Sequence, residues 1–107
     1  MPAALVEPLD ALGEPMRRAI FERLTERPQA VGELAREFPV SRPAVSQHLK
    51  VLKDARLVID QPAGNRRIYA VDQTGLKELR EYLDRFWGEA LSAYKAAVEK
   101  TKTEENE

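Results

Sequence analysis

Residues 1–7 have no clear pattern, but within three segments between residues 8 and 38 apolar residues recur every three or four positions, the spacing that places side chains on one face of an α-helix. Three short helices are predicted: a turn that starts at Pro8 and stops at Gly13, a helix that starts at Pro15, and a helix over 30–38. A proline in the first turn of a helix costs no hydrogen bond, because an N–H there has no partner in the helix. The apolar positions that share one face of each segment are Leu9 and Leu12, then Met16, Ile20, Phe21 and Leu24, and then Val31, Leu34 and Ala35, of which the last three are expected to face the core.

The next helical segment, residues 41–54, has one apolar face and one small, polar face. Ser41 is a good N-terminal cap, because its hydroxyl can accept a hydrogen bond from a backbone N–H of the first turn. Val45, Leu49 and Leu52 fall within a narrow apolar arc. A short connection joins this segment to the preceding helix, so the pair has the helix-turn-helix pattern.

The outer face of the 41–54 segment has the chemistry that a helix needs in the major groove of DNA. Short side chains let the backbone approach, Gln47 can pair bidentately with adenine, and Lys50 or Arg42 can reach guanine or a phosphate. On this stretch alone, an ordinary amphipathic surface helix is the alternative. The candidate DNA-contacting residues here are Ser41, Arg42, Pro43, Ser46, Gln47 and Lys50.

After Asp54 the apolar residues become β-branched and aromatic, which favours strands. Strands at 57–59 and 67–71 flank a turn at 61–65 that contains proline, glycine and asparagine, so a β-hairpin is predicted. Asn65, Arg66 and Arg67 lie at or just past its tip, where we expect them to contact DNA phosphates or a minor groove. Arginines at such a tip can also serve solubility alone.

The last segment, from 73 to about 100, is predicted as one long helix that Asp72 can cap. A helix of about 28 residues is about 42 Å long, more than the small preceding body can cover. Packing within one chain would leave Phe86 and Trp87 as an apolar patch that soluble monomers rarely tolerate. A homodimer interface is therefore expected, with candidate residues Leu9, Leu12, Leu83, Phe86, Trp87, Ala90, Leu91 and Tyr94.

Composition indicates a soluble, cytoplasmic protein of one domain. The 107 residues include no cysteine, no signal peptide is recognisable, and no apolar run approaches the ~20 residues of a membrane span. Residues 1–100 are expected to form the domain and 101–107 an acidic, disordered tail. The net charge is −1, but residues 36–70 carry seven basic and three acidic side chains, which supplies the local positive charge that DNA binding needs.

Several stretches resemble the ArsR/SmtB family of bacterial transcriptional regulators, namely Val31–Ala35, Ser41–Leu52, Asp54–Val58 and the aromatic Leu83–Trp87. The resemblance covers roughly residues 8–98. It implies a winged helix-turn-helix fold, mainly helical with a β-hairpin wing, dimeric through its terminal helices. It also implies a homodimeric repressor on a palindromic DNA operator, released when a small-molecule or protein effector binds.

The chain departs from that family at two places. Members that sense thiophilic metals have a Cys-x-Cys pair where Ala30 and Gly32 stand here, and residues 73–107 contain no histidine. No metal site or cofactor is therefore assigned, His48 is expected to be a packing residue, and a carboxylate-only site for a harder cation stays open. The family usually has glycine where Arg56 stands, and an arginine in a left-handed conformation there would cost about 1 kcal/mol.

These observations favour a sequence-specific, DNA-binding transcriptional regulator. The alternative is a winged-helix module whose outer helix binds another protein. An enzyme is not expected and no catalytic residue is assigned, because the chain has no cysteine, no glycine-rich phosphate loop and no second histidine.

Overall fold

A computed structural model of the chain describes the backbone of residues 3–105 and the side chains of residues 7–101. Its elements in chain order are α1 (Ala3–Ala11), α2 (Pro15–Glu26), β1 (Gln29–Ala30), α3 (Val31–Glu37), α4 (Arg42–Asp54), β2 (Val58–Ala63), β3 (Arg66–Val71) and α5 (Gln73–Glu105). The chain divides into one unit of residues 1–77 and a second of residues 78–107. The mainly helical fold with a small sheet confirms the predicted winged helix-turn-helix class.

The core of the first unit is built from the apolar faces of α2, α3 and α4. Burying each large aliphatic side chain contributes roughly 1.5–3 kcal/mol relative to leaving it in water. Because the buried positions of α4 lie on one arc, they determine which of its residues face solvent. The buried aliphatic residues of these three helices are Ile20, Leu24, Leu34, Val45, Leu49 and Leu52.

The predicted caps are present at α4 and α5. The hydroxyl of Ser41 accepts a hydrogen bond from the backbone N–H of Ala44 at 3.2 Å. The Oδ1 atom of Asp72 accepts from the N–H groups of Thr74 and Gly75, both at 3.1 Å. Each cap supplies a partner for N–H groups that the helix itself leaves unpaired.

Helix α1 begins earlier than the sequence indicated. The prediction that it starts at Pro8 is wrong, because the helix spans Ala3–Ala11 with Pro8 inside it. Within a helix, the first four N–H groups have no partner inside the helix. Pro8 occupies the sixth position of α1, so its missing N–H removes only one hydrogen bond of the helix. The carbonyl of Pro8 still accepts from the N–H of Leu12 at 3.1 Å, and the predicted stop at Gly13 follows directly.

The sheet has three antiparallel strands in the order β1-β3-β2, one more than predicted. Strand β1 has only two residues, Gln29 and Ala30, which pair with Tyr69 and Ile68 of β3. Two residues are too few to show the alternation that identifies a strand in a sequence. This strand joins the segment before α3 to the wing.

The turn of the wing is shorter than the predicted 61–65. Strand β2 continues through Pro62 to Ala63, and Gly64 and Asn65 alone connect it to β3. Pro62 is tolerated because β2 lies at the edge of the sheet. Gly64 has φ +65°, a conformation that suits glycine at the first central position of a tight hairpin turn.

Arg56, which follows α4, has φ 64° and therefore keeps the left-handed conformation that a glycine would adopt without strain. Its backbone lies against the start of α5. A Cβ atom added to Gly75 would be 1.8 Å from the carbonyl oxygen of Arg56, so only glycine fits at position 75. The two positions together form a close backbone junction between α4 and α5.

We expect Arg56→Gly to unfold at a higher urea concentration than Arg56→Ala, with a difference of about 1 kcal/mol. Both variants lose the same side-chain atoms beyond Cβ, so the comparison isolates the cost of the left-handed backbone. Urea titrations at equal protein concentration measure it. An alanine variant as stable as the glycine variant would show that φ 64° carries no strain here.

Helix α5 continues to Glu105, beyond Lys100, where the sequence predicted a disordered tail to begin. The hydroxyl of Thr101 donates to the carbonyl of Ala97 at 3.1 Å, as in a continuing helix. The structure thus corrects the predicted helix end, and residues 106–107 lie outside the described part. In the described part of the chain, no helix is long and apolar enough to cross a membrane.

Candidate nucleic-acid interface

The outer face of α4 is exposed as its periodicity predicts. Val45, Leu49 and Leu52 are fully buried on the inner side of the helix. The uncharged Ser46 and Gln47 point away from that core with their polar groups in solvent. All six residues of this segment predicted to contact DNA are exposed: Ser41, Arg42, Pro43, Ser46, Gln47 and Lys50.

Among the α4 candidates, Arg42 lies closest to the cleft beside the wing. It lines this cleft together with Asn65, Arg66 and Arg67. The structure therefore brings the start of α4 and the tip of the hairpin together, although they are more than twenty residues apart in the chain. Ser46, Gln47 and Lys50 do not line this cleft.

The basic side chains of this surface have acidic neighbours that the sequence analysis did not pair with them. Lys50 lies 3.0 Å from Asp54, one helical turn further along α4. Arg66 Nη1 lies 3.4 Å from Glu33 Oε1. Both pairs are open to solvent, where such contacts contribute at most about 1 kcal/mol and exchange readily. The cations are thus held in place without being withdrawn from an incoming phosphate.

Asp60 joins the wing to α4 through two ion pairs. Its carboxylate is only 6% exposed and lies 2.8 Å from Lys53 Nζ of α4 and 2.5 Å from Arg67 Nε of β3. The hydrogen bond from Lys53, and next to it that from Arg67, hold the pKa of Asp60 below its usual value. No sequence periodicity signals this cluster, because its members come from three different elements.

We expect Asp60→Asn to lower the free energy of unfolding by about 1 kcal/mol at pH 7. A carboxyl group whose pKa is lower when folded contributes stability above its unfolded pKa, and that contribution is lost as the pH falls through the folded pKa. The difference between wild type and variant should therefore shrink below about pH 4. Urea titrations across that range measure it, with Asp54→Asn as a solvent-exposed control, and a pH-independent difference would contradict it.

A second cluster around Glu37 fixes α3, the helix that precedes α4. The Gln29 side chain is 1% exposed and donates from Nε2 to Glu37 Oε1 at 2.9 Å. Arg23 and Arg27 pair with the same carboxylate at 3.1 and 3.3 Å. The hydrogen bond from Gln29 and the two guanidinium groups lower the pKa of Glu37. These contacts tie the end of α2 and strand β1 to the end of α3.

His48 packs on the inner edge of α4 beside the cap of α2. The Glu14 carboxylate accepts hydrogen bonds from the N–H groups of Met16 and Arg17, and chiefly the Arg17 contact lowers the pKa of Glu14. His48 Nδ1 lies 3.8 Å from Glu14 Oε2, and its side chain is 20% exposed. Among the described residues, no three His, Cys, Asp or Glu side chains are grouped so that they could hold a metal ion.

The apolar stripe of α5 forms a separate surface. Phe86 is 55% exposed, Trp87 62% and Tyr94 70%. Leu83, Ala90 and Leu91 are exposed as well, while Leu9 of α1 and Leu12, in the turn that follows α1, are half-buried. Aromatic side chains that remain this open on a single chain are the kind of surface that another molecule covers.

Known proteins share this arrangement of helices and wing. A family described as a helix-turn-helix domain matches residues 12–61. The HTH-type transcriptional regulator Rv2034 of Mycobacterium tuberculosis is 64% identical over 89 residues, which cover 83% of each chain. The transcriptional repressor SdpR of Bacillus subtilis is 32% identical over 64% of this chain and 76% of its own.

A solved structure agrees with these sequence matches. The ArsR-like transcriptional regulator from Rhodococcus sp. RHA1 superposes with a TM-score of 0.74 at 30% identity. The superposition covers 87% of this chain and 91% of the Rhodococcus chain. The likeness therefore extends well beyond the helix-turn-helix segment.

Proposed function

Because the chain belongs to the ArsR/SmtB family of winged helix-turn-helix, DNA-binding transcriptional regulators, we propose that it is a homodimeric repressor of a palindromic operator. The observation that carries the proposal is the exposed, uncharged centre of α4 beside a cationic wing. A two-fold dimer presents this surface twice, so the operator that it recognises has two inverted half-sites. A repressor of this kind acts in the cytoplasm, where its DNA lies.

The two parts of the surface have different roles in this proposal. Gln47 and Ser46 enter the major groove and read base edges through directional hydrogen bonds. Arg66 and Arg67 of the wing bind phosphates and release counterions, as does Lys50 at the border of the α4 face. Asn65 can add a hydrogen bond from the turn, while Ser41 and Pro43 let the start of α4 approach the DNA backbone.

Salt-dependent binding of duplex DNA tests this function. Genome-wide footprinting identifies the operator, and fluorescence anisotropy then compares it with a scrambled duplex from 50 to 200 mM salt. We expect tight, salt-sensitive binding and a clear preference for the operator. A winged-helix module that binds proteins would show neither salt-sensitive DNA binding nor a preference for the operator. If this chain binds no duplex at all, the proposal is refuted.

Release of the operator is proposed to follow the binding of a non-metal effector, a small molecule or a partner protein. The carboxylates and the one histidine of the chain do not replace the thiolates that bind thiophilic metals, and Ala30 and Gly32 stand where those thiolates would be.

We therefore expect zinc, cadmium and arsenite to leave operator binding unchanged at physiological concentrations. Anisotropy with each metal present measures the effect, and a chelator-treated sample is the control. Calorimetry that finds a stoichiometric, submicromolar site for one of these metals would overturn this expectation.

A further inference from the structure

We propose that the cleft between α3, the start of α4 and the wing is a binding site for a phosphate group. It has a volume of about 320 Å³ and is open to solvent. Four guanidinium groups line it, those of Arg36, Arg42, Arg66 and Arg67, with the carboxylate of Glu33 beside them. The formal charge of these lining side chains is strongly positive, whereas the whole chain has a net charge of −1.

The arginines of the cleft come from three separate elements. Arg36 is on α3, Arg42 begins α4, and Arg66 begins β3. In the described part of the chain, neither Arg36 nor Arg42 has an ion-pair partner, so their charges are not already neutralised. A guanidinium group offers paired N–H donors that match two oxygens of one phosphate, and several such groups around one cleft favour that ligand over a single carboxylate.

Gly32 keeps the floor of the cleft open. A Cβ atom at this position would lie 3.4 Å from one terminal nitrogen of Arg42 and 3.6 Å from its central carbon. The guanidinium of Arg42 therefore lies directly over bare backbone. Any longer side chain at position 32 would occupy the space in which a ligand reaches Arg42.

The carboxylate of Glu33 is an acceptor within the cleft. Its Oε1 atom accepts hydrogen bonds from the N–H of Ala30 at 3.3 Å and from Arg66 Nη1 at 3.4 Å. A phosphate must compete with this carboxylate for Arg66. Removing the charge of Glu33 while keeping its acceptor oxygen should therefore strengthen phosphate binding.

The phosphate group in the cleft belongs either to the DNA backbone or to a free phosphorylated small molecule, which present the same chemistry. The first alternative rests on the proposed function. Arg42 and Arg66 are proposed DNA contacts, so a free molecule in the cleft would compete with the operator for them. Arg36 and Glu33 lie on α3, outside the residues proposed to contact DNA. Substitutions at these two positions therefore report on the cleft itself.

Calorimetric titration with pyrophosphate at constant ionic strength tests the cleft directly. For a free source we expect Arg36→Ala to weaken pyrophosphate binding about tenfold, the effect of one charge-assisted contact, and Glu33→Gln to strengthen it. Arg80→Ala and Glu22→Gln make the same charge changes outside the cleft and should leave the affinity for pyrophosphate unchanged. Equal weakening by Arg36→Ala and Arg80→Ala would show charge screening only and overturn the proposal.

The salt dependence of operator binding tests the other source. If the occupant is a DNA phosphate, wild type does not bind pyrophosphate and Arg36→Ala lowers the salt slope by about 2 per dimer. If the occupant is a free molecule, pyrophosphate displaces the operator from wild type and much less from Arg36→Ala. Absence of pyrophosphate binding together with an unchanged slope overturns the proposal. A wild type that binds no duplex refutes the proposed function; the cleft proposal then stands if pyrophosphate binds and is overturned if it does not.

Discussion

Replacing Trp87 by alanine is expected to convert the proposed dimer into monomers at micromolar concentration. On the single chain the indole is 62% exposed, and the neighbouring Phe86 is 55% exposed. Leu83, Leu91 and Tyr94 continue the same stripe along α5 at helical spacing. A two-fold interface buries such a stripe against the same stripe of the second copy. Each of these side chains is therefore buried in both protomers of the dimer.

The expected cost follows from truncating a large aromatic side chain in a packed interface. That loss is roughly 3–5 kcal/mol for each of the two side chains in a dimer, so the dimer is weakened at least about ten-thousandfold. Phe86→Ala should have a similar effect. The contribution proposed for Leu9 of α1 and for Leu12, just after α1, should be smaller, because both side chains are already half-buried within the chain.

Sedimentation equilibrium measures the effect. Glu89→Ala is a matched control, because position 89 lies about 200° around the helix from Trp87 and is exposed. The control should remain dimeric. A wild type that is a stable monomer at micromolar concentration would refute the dimer, and an equal effect of both substitutions would refute the assigned face.

Replacing Gln47 by alanine is expected to reduce the preference for the operator over a scrambled duplex by about 1–3 kcal/mol per half-site, or about fivefold to 150-fold for each half-site. The Gln47 amide is exposed on the outer face of α4 and carries no charge. Its contribution is therefore directional and applies only to the cognate base pair. The salt slope should stay nearly the same, because no phosphate contact is lost.

Arg66→Ala and Arg67→Ala are expected to change the salt dependence of binding rather than the preference for the operator. Each removes a cation from the wing, so all duplexes bind more weakly and the salt slope falls by about 2 per dimer. A wing arginine that instead enters a narrow minor groove would make its variant sequence-selective as well. Salt titrations on one operator and one scrambled duplex separate these cases, with Arg80→Ala as the control.

The assigned roles would be wrong under two outcomes. One is that Gln47→Ala weakens both duplexes equally. The other is that the wing variants leave the salt slope unchanged. Ser46→Ala provides a second check of the helix, because its short hydroxyl lies on the same exposed face as Gln47.

Local patterns were sufficient to predict the helices and the residues on their faces. The apolar arc of Val45, Leu49 and Leu52 and the cap at Ser41 follow from residues within a few positions of each other. Helical periodicity and capping depend on such short separations, so one sequence is enough to show them. The left-handed conformation of Arg56 was expected only from the family resemblance. Two helix boundaries are exceptions: α1 begins before Pro8, which sits inside it, and α5 continues past Lys100.

Only the tertiary structure decided which charges meet. Strand β1, the Asp60 cluster and the arginine-lined cleft each join residues from different elements, and Glu33 and Arg66 are separated by 33 positions. No periodicity encodes such pairs, because the approach of α3 to the wing depends on how the whole core packs. The sequence by itself therefore predicted a helix with a small, polar outer face, which is proposed to read DNA, and a basic wing. The packing of the core brought Arg36 and Arg42 to the same cleft as that wing.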